Sequence, residues 1–138
     1  DPNLRPKLWS DKKEMCDVIM DGAKLSDIIL PSFEDEKTWF SDADPMSTLK
    51  RYRKVGAEIV VVKNAGEPVS FISNQGTGTH PVETIRTAVD STAAGDSFNS
   101  EILVGILRNI PLTEAIRNGV NLAKKVIMGH GALIKNDI

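Results

Sequence analysis

The sequence predicts an α/β fold on a largely parallel sheet, and three observations carry that expectation. Helix-periodic segments and strand-like segments alternate along the chain. The run Ile59-Val60-Val61-Val62 is β-branched without a break, which suits a strand covered on both faces. With 138 residues and 41% hydrophobic content, the chain can hold one sizeable core, so a single globular unit is expected.

Taken in order, the elements follow from local chemistry. After a proline-bearing opening, Asp11 caps a helix that runs through about Leu25, with Met15, Val18, Ile19 and Leu25 near helical spacing. Residues 26–30 read as a short buried strand ended by Pro31, and 34–40 as a short helix. Ser47 or Thr48 starts the next helix, which Gly56 stops. Its last turn, Lys50-Arg51-Tyr52-Arg53-Lys54, reads as a solvated basic end complementing the helix dipole. Residues 58–63 form the clearest strand, 64–68 a turn, and 69–72 an antiparallel return. Residues 74–79 are polar and expected to be exposed, and 82–89 lead in extended form to a loop at Asp90. Helices are expected at 95–108 and 112–128, the second capped by Thr113 over Pro111. There is no internal repeat, low-complexity tract or second domain in this reading.

Composition narrows the function classes. The net charge of −2 and the scattered basic residues give no reason to expect a nucleic-acid partner. No apolar run approaches the ~18 residues of a membrane span. A single cysteine, Cys16, excludes an internal disulfide and fits a reducing compartment, so a cytoplasmic location is expected. Cys16 falls on the apolar side of its helix and reads as core. His80 and His130 have no ligand spacing and read as loop residues, while Trp9 and Trp39 read as packing or cleft-edge residues.

The chemistry concentrates in Asp90-Ser91-Thr92-Ala93-Ala94-Gly95-Asp96-Ser97-Phe98-Asn99, where a small-residue turn meets a helix start. Free N–H groups of a first helical turn, with the positive end of the helix dipole, bind a phosphate or a developing oxyanion. Gly95 and the alanines leave an anion room to approach, and Asp96 lies in the first turn, placed to receive a proton from a hydroxyl. That combination suits phosphoryl transfer to an alcohol. The string is equally a plain helix start with Asp or Ser as its cap.

In its surroundings, the run resembles the ribokinase-like carbohydrate kinase signature Asp-Thr-Thr-(Gly/Ala)-Ala-Gly-Asp-(Ser/Thr)-Phe, departing only at Ser91. Asp1-Pro2-Asn3-Leu4-Arg5-Pro6-Lys7-Leu8-Trp9 resembles the Asp-x-Asn-x-Arg segment near mid-chain in these enzymes, closest to the bacterial 2-keto-3-deoxygluconate kinase branch. The resemblance covers the whole chain but only the C-terminal half or so of such a kinase. It implies an incomplete three-layer α/β/α domain over residues 1–138, with the N-terminal half and lid absent and the isolated fragment inactive.

By the same resemblance, Asp96 is the catalytic base and also touches the sugar hydroxyl, while Ala93, Ala94 and Gly95 line the anion hole. Arg5 clamps the substrate carboxylate, since its planar fork fits one; read without the resemblance, Arg5 is a surface cation. Asn3, Lys63, Gly66, Gly95 and Gly131 are implied near the nucleotide, though Gly66 is equally a bare turn residue and is shifted by one from the commoner pattern. Asp90 and Thr92 correspond to positions near a monovalent cation such as K⁺. The family's Asn-x-x-Glu, which organises water around Mg²⁺, is altered here: Ser32 replaces Asn, and Asp35 or Glu36 supplies the carboxylate. ATP and Mg²⁺ are the implied cosubstrate and cofactor, and a small sugar or sugar acid the acceptor. A homo-oligomer through the absent lid is consistent with the family. The alternatives are a neutral-sugar kinase of ribokinase or fructokinase type and a nucleotide-binding regulatory module without catalysis.

Overall fold

Local chemistry sets most element boundaries in the computed structural model, which describes residues 1–83 and 88–132. Asp11 accepts the N–H groups of Lys13 at 2.7 Å and Glu14 at 3.3 Å, and so starts helix α1, Lys12–Ala23. The helix ends two residues before the expected Leu25, because the tightening turn sends the Leu25 N–H to Gly22 and leaves Leu25 exposed. Strand β1 is short, Ile28–Ile29, and helix α2 spans Phe33–Phe40. Helix α3, Pro45–Lys54, starts earlier than Ser47. Asp44 is its cap, taking the Ser47 N–H at 2.7 Å, and proline occupies the first helical position, where its missing donor costs nothing.

Strands β2 (Ile59–Val62), β3 (Val69–Ser73) and β4 (Gly76–His80) complete a four-stranded sheet in the order β1-β2-β3-β4. Val60, Val61 and Val62 are fully buried, as their uninterrupted branching predicts. The sheet is mixed and not largely parallel: β1 and β2 are parallel, while β2–β3 and β3–β4 are antiparallel. The connections after β2 and β3 are turns, too short for the crossover that a parallel neighbour requires. The polar stretch 74–79, expected to be exposed coil, supplies β4, and His80 ends that strand instead of lying in a loop. Its pairing is a backbone matter. Gly78 sits opposite Phe71, where an added Cβ would meet the ring at 2.7 Å, so the absent side chain makes room for the aromatic.

Against this sheet, α3 packs over β2 and β3. Leu49 and Tyr52 of α3 join Val60, Val62, Ile29, Ala23 and Ala57 in one buried cluster. The basic run 50–54 is therefore not a solvated helix end throughout, since Tyr52 is fully buried and Arg51 largely so.

Helices α4 (Ala94–Leu107) and α5 (Leu112–Ile127) form a hairpin. Gly105 and Gly119 let them approach: a Cβ at Gly105 would lie 2.5 Å from that of Ala115, and one at Gly119 would lie 2.9 Å from the Phe98 ring. Thr113 does not cap α5. Pro111 holds that position, and its carbonyl takes the N–H groups of Glu114 and Ala115. The chain gathers into two compact units, Asp1–Pro81 and Val82–Ile138, where composition led us to expect one. The sheet with α1–α3 belongs to the first unit and the α4–α5 hairpin to the second. The extended path expected over 82–89 falls partly on 84–87, outside the described residues.

Candidate functional site

The predicted site residues fall into two sets, one in each unit. In the second unit, the loop before α4 is tied to the end of α5. The N–H groups of Val89 and Asp90 donate to the Ile127 carbonyl at 2.8 and 3.2 Å. Asp90 then uses both carboxylate oxygens: Oδ1 accepts the Thr92 N–H at 2.8 Å, and Oδ2 accepts the Gly131 N–H at 2.9 Å. Hydrogen bonds from Thr92 first, then from Gly131, lower its pKa to about 2. Asp90, Thr92 and Gly131 are thus brought together, as one backbone-stapled corner.

Beyond that corner the chain turns sharply. Ala93 takes a left-handed conformation at φ 61°, which a residue with a Cβ adopts only under constraint, and serves as the N-terminal cap position of α4 without a side-chain hydrogen bond. The Ala94 N–H, expected in the anion hole, donates instead to the Ser91 carbonyl at 3.2 Å. The turn closes on itself and consumes that donor. The first α-helical bond runs from the Ser97 N–H to the Ala93 carbonyl. Among the described residues, the N–H groups of Gly95 and Asp96 are left without an acceptor, at the positive end of a 14-residue helix. The Asp96 side chain is exposed in that same turn, while Phe98 and Asn99 are buried and anchor the next one. A donor pair and an exposed carboxylate within one helical turn can hold an anion and accept a proton beside it.

In the first unit, Asn3, Arg5, Lys63 and Asp35 share one neighbourhood. The Lys63 ammonium lies 2.6 Å from Asp1 Oδ2, and Asp1 Oδ1 accepts the Asn3 N–H at 3.0 Å. Asn3 itself is left-handed at φ 42°. Arg5 is exposed, with its guanidinium donating to the neighbouring Leu4 carbonyl at 3.2 Å. Burial first, then Glu34, pushes the Asp35 carboxyl above the ordinary Asp range, while Arg5 and Lys63 pull it down. Gly66 lies in the β2–β3 turn with φ 93°, beside Ala65 at φ 39°, so its glycine identity answers to the turn itself.

Glu36 does not fit the role of a magnesium-side carboxylate. It is fully buried, accepts hydrogen bonds from the Tyr52 hydroxyl at 3.1 Å on both oxygens, and is paired with Arg51. Arg51 also reaches Asp42 at 2.7 Å, and Asp42 accepts the Thr48 hydroxyl at 2.7 Å. This polar network was not foreseen, because its members come from α2, α3 and the loop between them with no local spacing to betray them. No group of three or more metal-ligating side chains occurs among the described residues. Of the two carboxylates expected beside the altered Ser32 segment, Asp35 is the one that is not buried. Cys16 is half-buried, with its thiol donating to the Trp39 carbonyl at 3.4 Å.

Comparison with known proteins places the whole chain in one lineage. The family model described as pfkB family carbohydrate kinase matches residues 1–138. The chain is 36% identical over 137 residues to a 2-dehydro-3-deoxygluconokinase of Haemophilus influenzae, covering 97% of this chain and 43% of that relative. A fructokinase of Rhizobium leguminosarum bv. trifolii is 33% identical over 129 residues, covering 86% of this chain and 39% of the relative. The crystal structure of a PfkB protein from Polaromonas sp. JS666 superposes with a TM-score of 0.80 at 31% identity, over 94% of this chain and 42% of that one. The chain therefore spans less than half the length of the relatives it matches. An α/β fold that superposes on a PfkB protein, and a family match over every residue, lead to one conclusion: the chain belongs to the pfkB family of carbohydrate kinases.

Proposed function

We propose that the chain is the C-terminal part of a kinase that transfers the γ-phosphoryl group of ATP to a hydroxyl of a small sugar acid, 2-keto-3-deoxygluconate at its 6-hydroxyl. One observation carries this reading: the left-handed Ala93 turn presents the Gly95 and Asp96 N–H groups and the Asp96 carboxylate together at the start of α4. The hydroxyl oxygen attacks the γ-phosphorus while the bond from that phosphorus to the β,γ-bridging oxygen breaks, and ADP departs. Asp96 takes the hydroxyl proton. The free N–H groups stabilise the charge on the transferring group, each such donor being worth about 2.7–4 kcal/mol in the transition state. Because that transition state is loose, positioning matters more than a strong base.

Mg²⁺ accompanies ATP in this chemistry and neutralises phosphate charge. The residues present fit it only through water and phosphate, since Glu36 is committed to Arg51 and Tyr52. Arg5, exposed and near Asp35, is proposed as the clamp for the acid-sugar carboxylate. By the same reading, the protein is cytoplasmic, takes small-molecule substrates and binds no nucleic acid; no helix among the described residues is long and apolar enough to cross a membrane. The fructokinase relative supports a second reading, a neutral-sugar kinase in which Arg5 is incidental.

A coupled ADP-release assay on the intact protein, with Mg·ATP and either 2-keto-3-deoxygluconate, ribose or fructose, separates these readings. We expect preference for the acid sugar and a loss of turnover of about 100-fold or more in Asp96→Asn, as for removal of a general base. Arg5→Ala should raise the KM for the acid sugar far more than for fructose. Fructose preference in the wild type moves the assignment to the neutral-sugar reading. An Asp96→Asn variant keeping a tenth of wild-type turnover removes the base from the scheme.

A further inference from the structure

Lys63 directly follows β2, whose last three residues are fully buried, yet its side chain turns back to the opening segment of the chain. Its backbone is held on both sides: the Lys63 N–H donates to the Pro31 carbonyl at 2.9 Å, and the Lys63 carbonyl accepts the Phe33 N–H at 2.8 Å. That fixes its Cα against the start of α2. From there the ammonium reaches Asp1 Oδ2 at 2.6 Å, while Asp1 Oδ1 holds the Asn3 N–H. The pair is half-sheltered, with side-chain exposures of 15% and 25%. A continuous line of bonds thus runs from the sheet through Lys63 and Asp1 to Asn3. Two residues further on, Arg5 follows the left-handed backbone of Asn3, and Leu4 between them is buried.

We propose that Lys63 is a positioning residue: through its ion pair with Asp1 it holds the Asn3–Arg5 segment against the sheet for recognition of the sugar acid, and it does not itself contact the nucleotide. The proposal rests on the kinase reading above for its substrate. The physical need is plain. Arg5 is an exposed side chain on a segment with no regular structure before the short Pro6–Leu8 turn, and a carboxylate clamp is selective only if its guanidinium has a fixed origin. A half-sheltered pair anchored to a buried strand provides that origin, and Asp1 spends its second oxygen on the backbone that it locates.

In the intact protein, Lys63→Met and Asp1→Asn should each raise the KM for 2-keto-3-deoxygluconate roughly tenfold to a hundredfold, the cost of misplacing a substrate-holding group, with any change in the KM for ATP the same in both variants. The double variant should be no worse than either single one, because the same interaction is lost in all three. Lys63→Arg should recover most of the affinity. Amide exchange across residues 3–9 should quicken in both single variants, whichever sugar the wild type turns over. A rise in the KM for ATP confined to the Lys63 variant would overturn the proposal, as would additive losses or unchanged exchange. If the wild type takes no acid sugar, the substrate reading fails on that result alone, and the exchange experiment still decides whether the pair holds the segment.

Discussion

Asp90 shows how one side chain shapes a loop that small residues leave free. Its carboxylate joins the Thr92 and Gly131 amides, closing the corner from which Ala93 turns into α4. Those hydrogen bonds, Thr92's first, keep the acid ionised down to about pH 2, below the value of about 3.9 expected of an unfolded Asp. A depressed folded pKa stabilises the fold above the unfolded value, and that contribution disappears as pH falls toward the folded one. We therefore expect the melting temperature of the wild type to converge on that of Asp90→Asn between about pH 4 and pH 2; a gap that stays constant on acidification would refute the assignment. The string around Asp90 was legible as a turn and helix start to within one residue. What it did not show was which amides remain free, because the donation from Ala94 to Ser91 depends on a left-handed φ that alanine does not advertise.

Between elements, the least foreseeable feature is the polar core that joins α2 to α3. Arg51 sits 4.0 Å above the Phe40 ring and pairs with both Glu36 and Asp42, while Tyr52 donates to Glu36. Burial pushes the Glu36 carboxyl above the ordinary Glu range, with Arg51 and Tyr52 opposing that shift. Burial likewise raises the Tyr52 hydroxyl, so it stays a donor. Removing the cation would leave an uncompensated buried carboxylate, so Arg51→Met should cost about 3–5 kcal/mol in denaturant unfolding. The sign of its pH dependence follows. Without Arg51 the folded pKa of Glu36 rises further, so the variant should regain stability as pH falls toward the ordinary Glu value of about 4.3. A loss independent of pH would point to packing alone. In the sequence, Arg51 belongs to a run of like charges at a helix end and Glu36 to an acidic first turn. Each reads as solvated, since the pairing exists only once two helices meet.

At the scale of the whole molecule, both units present apolar surface. Leu8, Val18 and Leu25 are exposed in the first, while Leu103, Val104 and Leu107 of α4 are exposed in the second. Matching relatives run to more than twice this length. The 138 residues expressed alone should accordingly show no sugar-kinase turnover and should self-associate in sedimentation velocity. A monodisperse, active preparation would contradict both expectations. The sequence by itself determined the α/β class, the buried valine strand, the capped start of α1 and the Asp90–Asp96 turn. Each of these depends on neighbours within about one turn or strand, where side-chain type and backbone preference act directly. Only the tertiary structure decided the mixed sheet, the polar strand β4, the Arg51 network and the Lys63–Asp1 pair. These depend on which backbone groups and charges meet across tens of residues, and burial energetics chooses such partners without leaving a local pattern.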